Sequence, residues 1–120
     1  MASGYYRYPT IQGDTVVFSC EDDLWSVSAS GGIARRLTAS LGEDAYPLLS
    51  PDGEKLAFVG HDEGHGEIYL MPALGGPTRR LTFMGAVACQ PAAWTPEGKI
   101  IFASTAGHWY LRFTQLYQID

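Results

Sequence analysis

The sequence has little cysteine, little positive charge and no long apolar segment. Its 120 residues include two cysteines, Cys20 and Cys89, which form no C-x-x-C pair, so free thiols are expected. The formal net charge of -5 argues against nucleic acid as the main partner, because phosphate binding needs a basic face. We expect no membrane contact either, since no stretch reaches the roughly 18 apolar residues of a membrane helix.

Helical periodicity and targeting signals are also lacking. No window keeps the apolar spacing of an amphipathic helix, so almost no helix is expected. Residues Met1 to Arg7 contain no apolar core of a signal peptide, which favours a cytoplasmic protein. The composition is otherwise globular, with 46% hydrophobic residues, and its 14 glycines and 7 prolines predict many turns.

An internal repeat dominates what the sequence does contain. Residues 23–38 read DLWSVSASGGIARRLT, and residues 67–82 read EIYLMPALGGPTRRLT, aligned without a gap. Before each copy lies a second shared element, GDTVVF at 13–18 and GEKLAF at 53–58, which returns one residue shorter as GKIIF at 98–102. This periodicity predicts an array of similar structural units.

Each unit contains short strand signals separated by turn residues. They cover residues 46–50, 55–60, 67–73 and 78–83 in the second unit, and 89–94, 99–104 and 114–119 in the third. Ser50-Pro51-Asp52-Gly53 and Thr95-Pro96-Glu97-Gly98 suit type I turns. Gly31-Gly32 and Gly75-Gly76 suit tight turns that need positive φ.

Four short antiparallel strands in ~40–45 residues are typical of one β-propeller blade. We therefore predict an all-β fold, a partial β-propeller with two complete four-stranded antiparallel blades and a third that lacks its last strand. Residues 1–120 form one propeller segment, with blade 1 at about 5–38, blade 2 at about 45–83 and partial blade 3 at about 88–120. The expected inter-blade core includes Leu56, Phe58, Ile68, Leu70 and Leu81, and Trp25 and Tyr69 share one repeat position.

These motifs resemble those of a known family. Residues 50–58 (SPDGEKLAF), followed by Glu67-Ile68-Tyr69, Gly75-Gly76 and Arg80-Leu81-Thr82, resemble the SPDG-type blade shared by TolB and many propeller-bearing peptidases. Residues 8–14 (YPTIQGD), leading into Val17-Phe18 and Asp22-Asp23-Leu24-Trp25, resemble the opening of tricorn-type serine proteases.

The resemblance implies the N-terminal propeller of a large, cytosolic, self-compartmentalising peptidase that degrades oligopeptides. Propellers of that family guide or filter peptides, and a PDZ-like domain and a catalytic domain with a Ser nucleophile follow far downstream, so no catalytic residue transfers to this chain. We expect a non-catalytic scaffold or peptide-substrate gate. Two alternatives stay open, a TolB-like protein-binding module, for which a signal peptide would be expected, and the propeller of a prolyl-oligopeptidase-type hydrolase.

No catalytic, cofactor-binding or metal-binding residue is predicted. The loop from His61 to His65, with Glu67 nearby, departs from H-E-x-x-H, so we interpret it as a solvated loop. No G-x-S-x-G nucleophile elbow is present. The segment 106–113 (AGHWYLRF), which holds Trp109, is expected to be a loop that lines an entrance or packs on a later blade. Glu21-Asp22-Asp23 is expected to be a solvated turn.

The repeated arginine pairs and the open third blade suggest contacts. In Arg35-Arg36 and Arg79-Arg80, one arginine is expected to pack its stem or pair with a carboxylate, with guidance of acidic peptide ends as the alternative. The unpaired strand edge of the third blade predicts self-association, and a two-chain ring is one specific hypothesis.

Overall fold

The computed structural model describes residues 6–39, 42–61, 66–82, 89–104 and 115–119, which form three antiparallel sheets and, within these ranges, no helix. The first sheet contains β1 (Tyr6–Gln12), β2 (Thr15–Cys20), β3 (Asp23–Ser28) and β4 (Arg35–Arg36). The second contains β5 (Ala45–Leu49), β6 (Lys55–Gly60), β7 (Glu67–Pro72) and β8 (Arg79–Arg80). The third contains β9 (Cys89–Trp94), β10 (Ile100–Ser104) and β11 (Gln115–Ile119).

The strands of each sheet follow one another in space as they do in sequence, from β1 to β4, β5 to β8 and β9 to β11. The predicted all-β fold of four-stranded antiparallel blades is therefore confirmed. The outermost strands are shorter than expected, and β8 pairs with β7 only through Arg79 and Arg80. One more backbone bond follows, from the Leu81 N–H to the Ile68 carbonyl at 2.7 Å, whereas the Ile68 N–H donates to the Thr82 hydroxyl at 2.9 Å, so a side chain replaces the next backbone acceptor.

The SPDG segment forms the predicted hydrogen-bonded turn between β5 and β6. The Gly53 backbone N–H donates to the Ser50 carbonyl at 2.9 Å, and Gly53 has φ 75°, a value that glycine adopts without steric cost. The Ser50 hydroxyl donates to Asp52 Oδ1 at 2.6 Å, and this bond is the main cause that lowers the pKa of the Asp52 carboxyl. The Thr95 turn of the third sheet repeats the backbone pattern, with Gly98 N–H donating to the Thr95 carbonyl at 3.0 Å.

The core lies between the sheets, which stack face to face. Between the first and second sheets, one buried cluster joins Val17, Leu24, Leu49, Leu56, Phe58, Tyr69, Met71 and Ala73. Because successive strand residues point to opposite faces, Val59 and Ile68 lie on the other side of the second sheet, where they meet Phe102 of the third. Alternate residues of β6 thus bury both faces of the blade.

Most of the predicted core positions are buried, but two differ. Leu56, Phe58 and Ile68 are fully buried, whereas Leu70 and Leu81 are half-buried. Leu81 packs at the edge of the second cluster. Leu70 lies near the end of β7, where it lines an open groove with Pro72.

Trp25 and Tyr69 occupy the same register position, opposite Phe18 and Phe58 respectively. Tyr69 is buried against the first sheet, and its ring lies 5.7 Å from that of Phe58. Trp25 is only half-buried. It points away from the second sheet, since its neighbour Leu24 belongs to the core on the other face. The same repeat position is therefore buried in the second blade and partly open in the first.

Candidate functional site at the linker end of the innermost strands

The first strand of each sheet is the innermost one. β1 contacts β5, and β5 contacts β9, so these strands lie side by side where the three sheets converge. All three start at the end of the molecule that holds the β4–β5 connection, which we call the linker end. The opposite end, which holds the turns at Gly13 and Gly53, is the turn end. In a propeller the innermost strands border the central channel.

Each innermost strand is interrupted at a proline. The pairing register shifts between Arg7 and Thr10 in β1, between Ala45 and Leu48 in β5, and beside Pro91 in β9. Pro9 and Pro47 lie inside the first two shifts. Proline cannot donate to the ladder, so a bulge forms where it occurs. The dipeptides Tyr8-Pro9, Tyr46-Pro47 and Gln90-Pro91 were a readable signal for these bulges, which the motif analysis missed.

The bulges hold two tyrosines in an unusual backbone conformation. Tyr8 has φ 55° and Tyr46 has φ 52°, a region in which a bulky residue is an outlier. Such a conformation costs about 1–3 kcal/mol per residue, and it persists only when the surroundings enforce it. Here the two rings stack across the boundary between the first and second sheets, with centroids 4.1 Å apart and planes at 31°.

The contact between the two tyrosines also shifts the pKa of Tyr46. The hydrogen bond with Tyr8 is the main cause that raises the pKa of Tyr46 above its ordinary value of 10.0, and burial is the second cause. A hydrogen bond made by a neutral phenol favours the protonated form, as burial does. The Tyr46 phenol therefore stays protonated at neutral pH.

A guanidinium and a carboxylate complete this surface. The Arg7 guanidinium lies 4.9 Å from the centre of the Tyr8 ring, and one of its nitrogens donates to the Tyr8 hydroxyl at 3.2 Å. Another nitrogen pairs with Glu43 Oε2 at 3.2 Å. Arg7, Tyr8, Glu43 and Tyr46 together are called the tyrosine cluster below. It can hold a cation between aromatic rings and a carboxylate.

His61 contacts the backbone of Glu43, a member of this cluster. Its Nδ1 lies 2.9 Å from the carbonyl oxygen of Glu43, which fixes the backbone of the linker beside β5. Of the predicted His61–His65 loop, residues 62–65 lie outside the described residues, as does the Trp109 segment. Across the part of the chain that the structure describes, no group of three or more His, Cys, Asp or Glu side chains is placed to hold a metal ion.

One arginine of each repeated pair forms an ion pair within its own sheet. Arg36 pairs with Asp23 at 2.8 Å, and the Thr38 hydroxyl accepts from the Leu24 backbone N–H at 3.0 Å while donating to Asp23. Glu67, Arg80 and Thr82 repeat this arrangement in the second sheet. We call each set a clasp, because it ties the outermost strand to its neighbour. The expected pairing of one arginine with a carboxylate is confirmed.

The other arginine of the first pair joins two sheets. Arg35 donates to the carbonyl oxygen of Leu74, in the turn that follows β7 of the second sheet, at 2.6 Å. Its counterpart Arg79 is exposed and borders the groove beside Leu70. Of the predicted solvated turn, Glu21 and Asp22 are exposed, whereas Asp23 belongs to the first clasp.

Comparison with known proteins decides what these sheets belong to. The family model of the tricorn protease N-terminal beta propeller domain matches residues 3–120. This chain belongs to that family. A tricorn protease homolog from Streptomyces coelicolor is 38% identical over 111 residues, which span 92% of this chain and 10% of that protein. The chain is thus an N-terminal tricorn propeller segment that covers about a tenth of such a relative.

Solved structures agree with this assignment. The crystal structure of the tricorn protease matches 98% of this chain and 12% of its own, with a TM-score of 0.86 at 25% identity. A putative TolB from Agrobacterium tumefaciens matches 99% of this chain and 43% of its own, with a TM-score of 0.82 at 21% identity, which shows a shared fold. The predicted tricorn and TolB-like blades are therefore confirmed. No helix in the described ranges is long and apolar enough to cross a membrane.

Proposed function

We propose that this segment is a non-catalytic scaffold that guides peptides along its innermost strands in a tricorn-type peptidase. The observation that carries the proposal is the open face of β1, where Tyr6 and Ile11 are 52% and 60% exposed although they lie on the strand closest to the convergence of the sheets. The Tyr6 ring packs edge-on against Phe18 with ring centroids 5.3 Å apart, and its exposed part, like the exposed side chain of Ile11, offers apolar contact area to an extended peptide. The family membership supplies the context of peptide degradation.

Hydrogen bonding supports the non-catalytic part of the proposal. The buried Ser19 hydroxyl donates to the Asp44 carbonyl at 3.0 Å, and the Ser50 hydroxyl is bound within its turn. Nδ1 of His61 bonds the Glu43 backbone. Among the described residues, no serine hydroxyl is hydrogen-bonded to this histidine, so the general base of a serine nucleophile is not assembled there.

Incubation of the purified chain with a defined mixture of oligopeptides of 6–12 residues tests the proposal. Fluorescence anisotropy of a labelled member measures binding, and mass spectrometry of the same sample measures cleavage. Saturable binding with every peptide recovered intact supports a guiding scaffold. Cleavage that persists after repeated chromatography, or the absence of binding at millimolar peptide, would contradict it.

Self-association and a cytoplasmic location form part of the same proposal. The third sheet has three strands among the described residues, and the β11 edge away from β10 offers backbone groups to a further strand. We propose that two copies associate through such edges, as in a two-chain ring. Light scattering over a concentration series tests this, and a monomer at all concentrations would exclude it. Cys20 is a free thiol, which is consistent with a reducing compartment.

A further inference from the structure

We infer that the tyrosine cluster is a binding site for a cationic side chain of a peptide, and that Arg7 occupies this site when no peptide is bound. The inference rests on the proposed function, since it names the class of peptide that the innermost strands would prefer. It assigns the site to Tyr8, Tyr46 and Glu43. Arginine and lysine share the chemistry that these groups recognise, a positive charge next to hydrogen-bond donors.

The structure itself contains an example of this recognition. The Arg7 guanidinium lies 4.9 Å from the Tyr8 ring centre and 3.2 Å from Glu43 Oε2. Aromatic faces attract cations through the ring quadrupole, and the effect grows as water is excluded. Tyr46 enlarges the aromatic surface by stacking on Tyr8 at 4.1 Å. A second cation of the same kind would find the same partners.

The ion pair of Arg7 is weak enough to be exchanged. The side chains of Arg7 and Glu43 are 37% and 40% exposed. Ion pairs with this degree of exposure contribute little to stability, because water and salt screen them. Arg7 lies on β1 and Glu43 on the linker between the sheets, so separation of the pair requires rotation of two long side chains and no change in the sheets.

The charges of the surrounding surface favour a cation over an anion. At the linker end, Arg36 and Arg80 are neutralised by the carboxylates of their own clasps. The exposed Glu21 and Asp22 add negative charge to this end. The charges at the turn end balance one another among the described residues. An excess of carboxylates at one end concentrates positively charged peptides there.

The backbone strain at the cluster fits a binding role. The tyrosines adopt φ values of 55° and 52° at equivalent bulges of two blades. Strained conformations and bulges are concentrated where a side chain must be aimed at a ligand. Both bulges direct phenol rings to one place, at the boundary between two blades.

Anisotropy titrations with four labelled peptides test the inference. Each peptide is an acetylated and amidated hexamer, Gly-Ser-Gly-X-Gly-Ser, in which X is arginine, lysine, the neutral arginine analogue citrulline, or glutamate. We expect arginine and lysine to bind more tightly than citrulline by about twofold to fivefold, the size of one exposed cation–π contact. Glutamate should bind most weakly. Equal affinities for arginine and citrulline would overturn the inference and leave the guiding scaffold intact, whereas no binding of any peptide would overturn both.

Variants of the chain separate a specific site from general attraction. Arg7→Ala should raise the affinity for the arginine peptide, because it removes the internal competitor. Arg79→Ala changes the net charge equally at the turn end and serves as the matched control. Glu43→Gln and Tyr46→Leu should each lower the preference for arginine over citrulline. Equal effects of Arg7→Ala and Arg79→Ala on the affinity for the arginine peptide would refute the site. An unchanged preference for arginine over citrulline in Glu43→Gln would also refute it. The urea midpoint of each variant shows whether that variant is folded.

Discussion

The clasp of the second blade should contribute more stability than that of the first. In the substitution Thr82→Val, the Ile68 backbone N–H loses its acceptor at 2.9 Å and Glu67 loses its donor at 2.5 Å. A buried donor left unsatisfied costs about 1–3 kcal/mol, and a hydrogen bond to a charged group contributes about 1.5–3 kcal/mol. The methyl group that replaces the hydroxyl recovers part of this by apolar packing, so we expect a net loss of about 2–3 kcal/mol.

Thr38→Val in the first blade is the matched control. Thr38 makes the same two bonds, but its hydroxyl lies 3.4 Å from Asp23 Oδ1, and the Asp23 side chain is 13% exposed where that of Glu67 is 2% exposed. Water can reach Asp23 and replace the lost donor, so the expected loss is smaller by about 1 kcal/mol. Urea unfolding at pH 7, with unchanged m values, measures both losses. A Thr38→Val loss equal to or larger than that of Thr82→Val would refute the reasoning.

Three further predictions concern the core and the titrating groups. Phe58→Ala, at 2% exposure, should cost about 3–5 kcal/mol in urea unfolding, and a loss below 1 kcal/mol would contradict the face-to-face packing. The bond from Ser50 lowers the pKa of Asp52. The ionised Asp52 therefore stabilises the fold above the ordinary carboxyl pKa, and this stabilisation is lost as pH falls through the lowered pKa. Asp52→Asn should reduce the resulting acid dependence of the urea midpoint. The raised pKa of Tyr46 implies that the protonated phenol stabilises the fold below pH 10.0 and that this stability is lost as pH rises through the raised pKa. Tyr46→Phe should reduce that loss of stability at alkaline pH. An identical alkaline profile in the variant would exclude a contribution from Tyr46.

The blade architecture could be predicted because local sequence patterns that recur along the chain specify it. The Ser50–Gly53 turn and the Gly31-Gly32 turn specify where strands reverse, and the alternation around Phe58 specifies two buried faces. The two aligned copies of the repeat predict the same strands and turns independently. These features depend on residues close in sequence, which is why they were readable without a structure.

The clasps were only partly predicted. The arginine pairs showed that one member has a structural partner, but the partner residues lie far away in sequence, as Glu67 does from Arg80. The hydroxyl that completes each clasp comes from the threonine of the repeated Arg-Arg-Leu-Thr element, and the repeat alone does not show which backbone group this hydroxyl binds. Pairing across strands depends on register, which a single sequence specifies poorly.

The tyrosine cluster was not predicted at all. Tyr46 belongs to a predicted strand and Tyr8 to a motif that carries the family resemblance, and tyrosine before proline is compatible with an ordinary extended strand. The positive φ values follow from the bulges and from the stacking of the rings between blades. Arg7 and Glu43 come together only after the first and second sheets pack side by side. Contacts of this kind arise from the tertiary structure alone.

An ¹⁵N–¹H correlation spectrum of the chain, titrated with an unlabelled oligopeptide, tests the central claim most directly. Guidance of peptides by the innermost strands predicts progressive shifts of the backbone amides in β1 and β5, including those of Arg7 and Tyr46, with little change at the outermost strands β4 and β8. Shifts confined to β4 and β8, or an unchanged spectrum at millimolar peptide, would contradict the account.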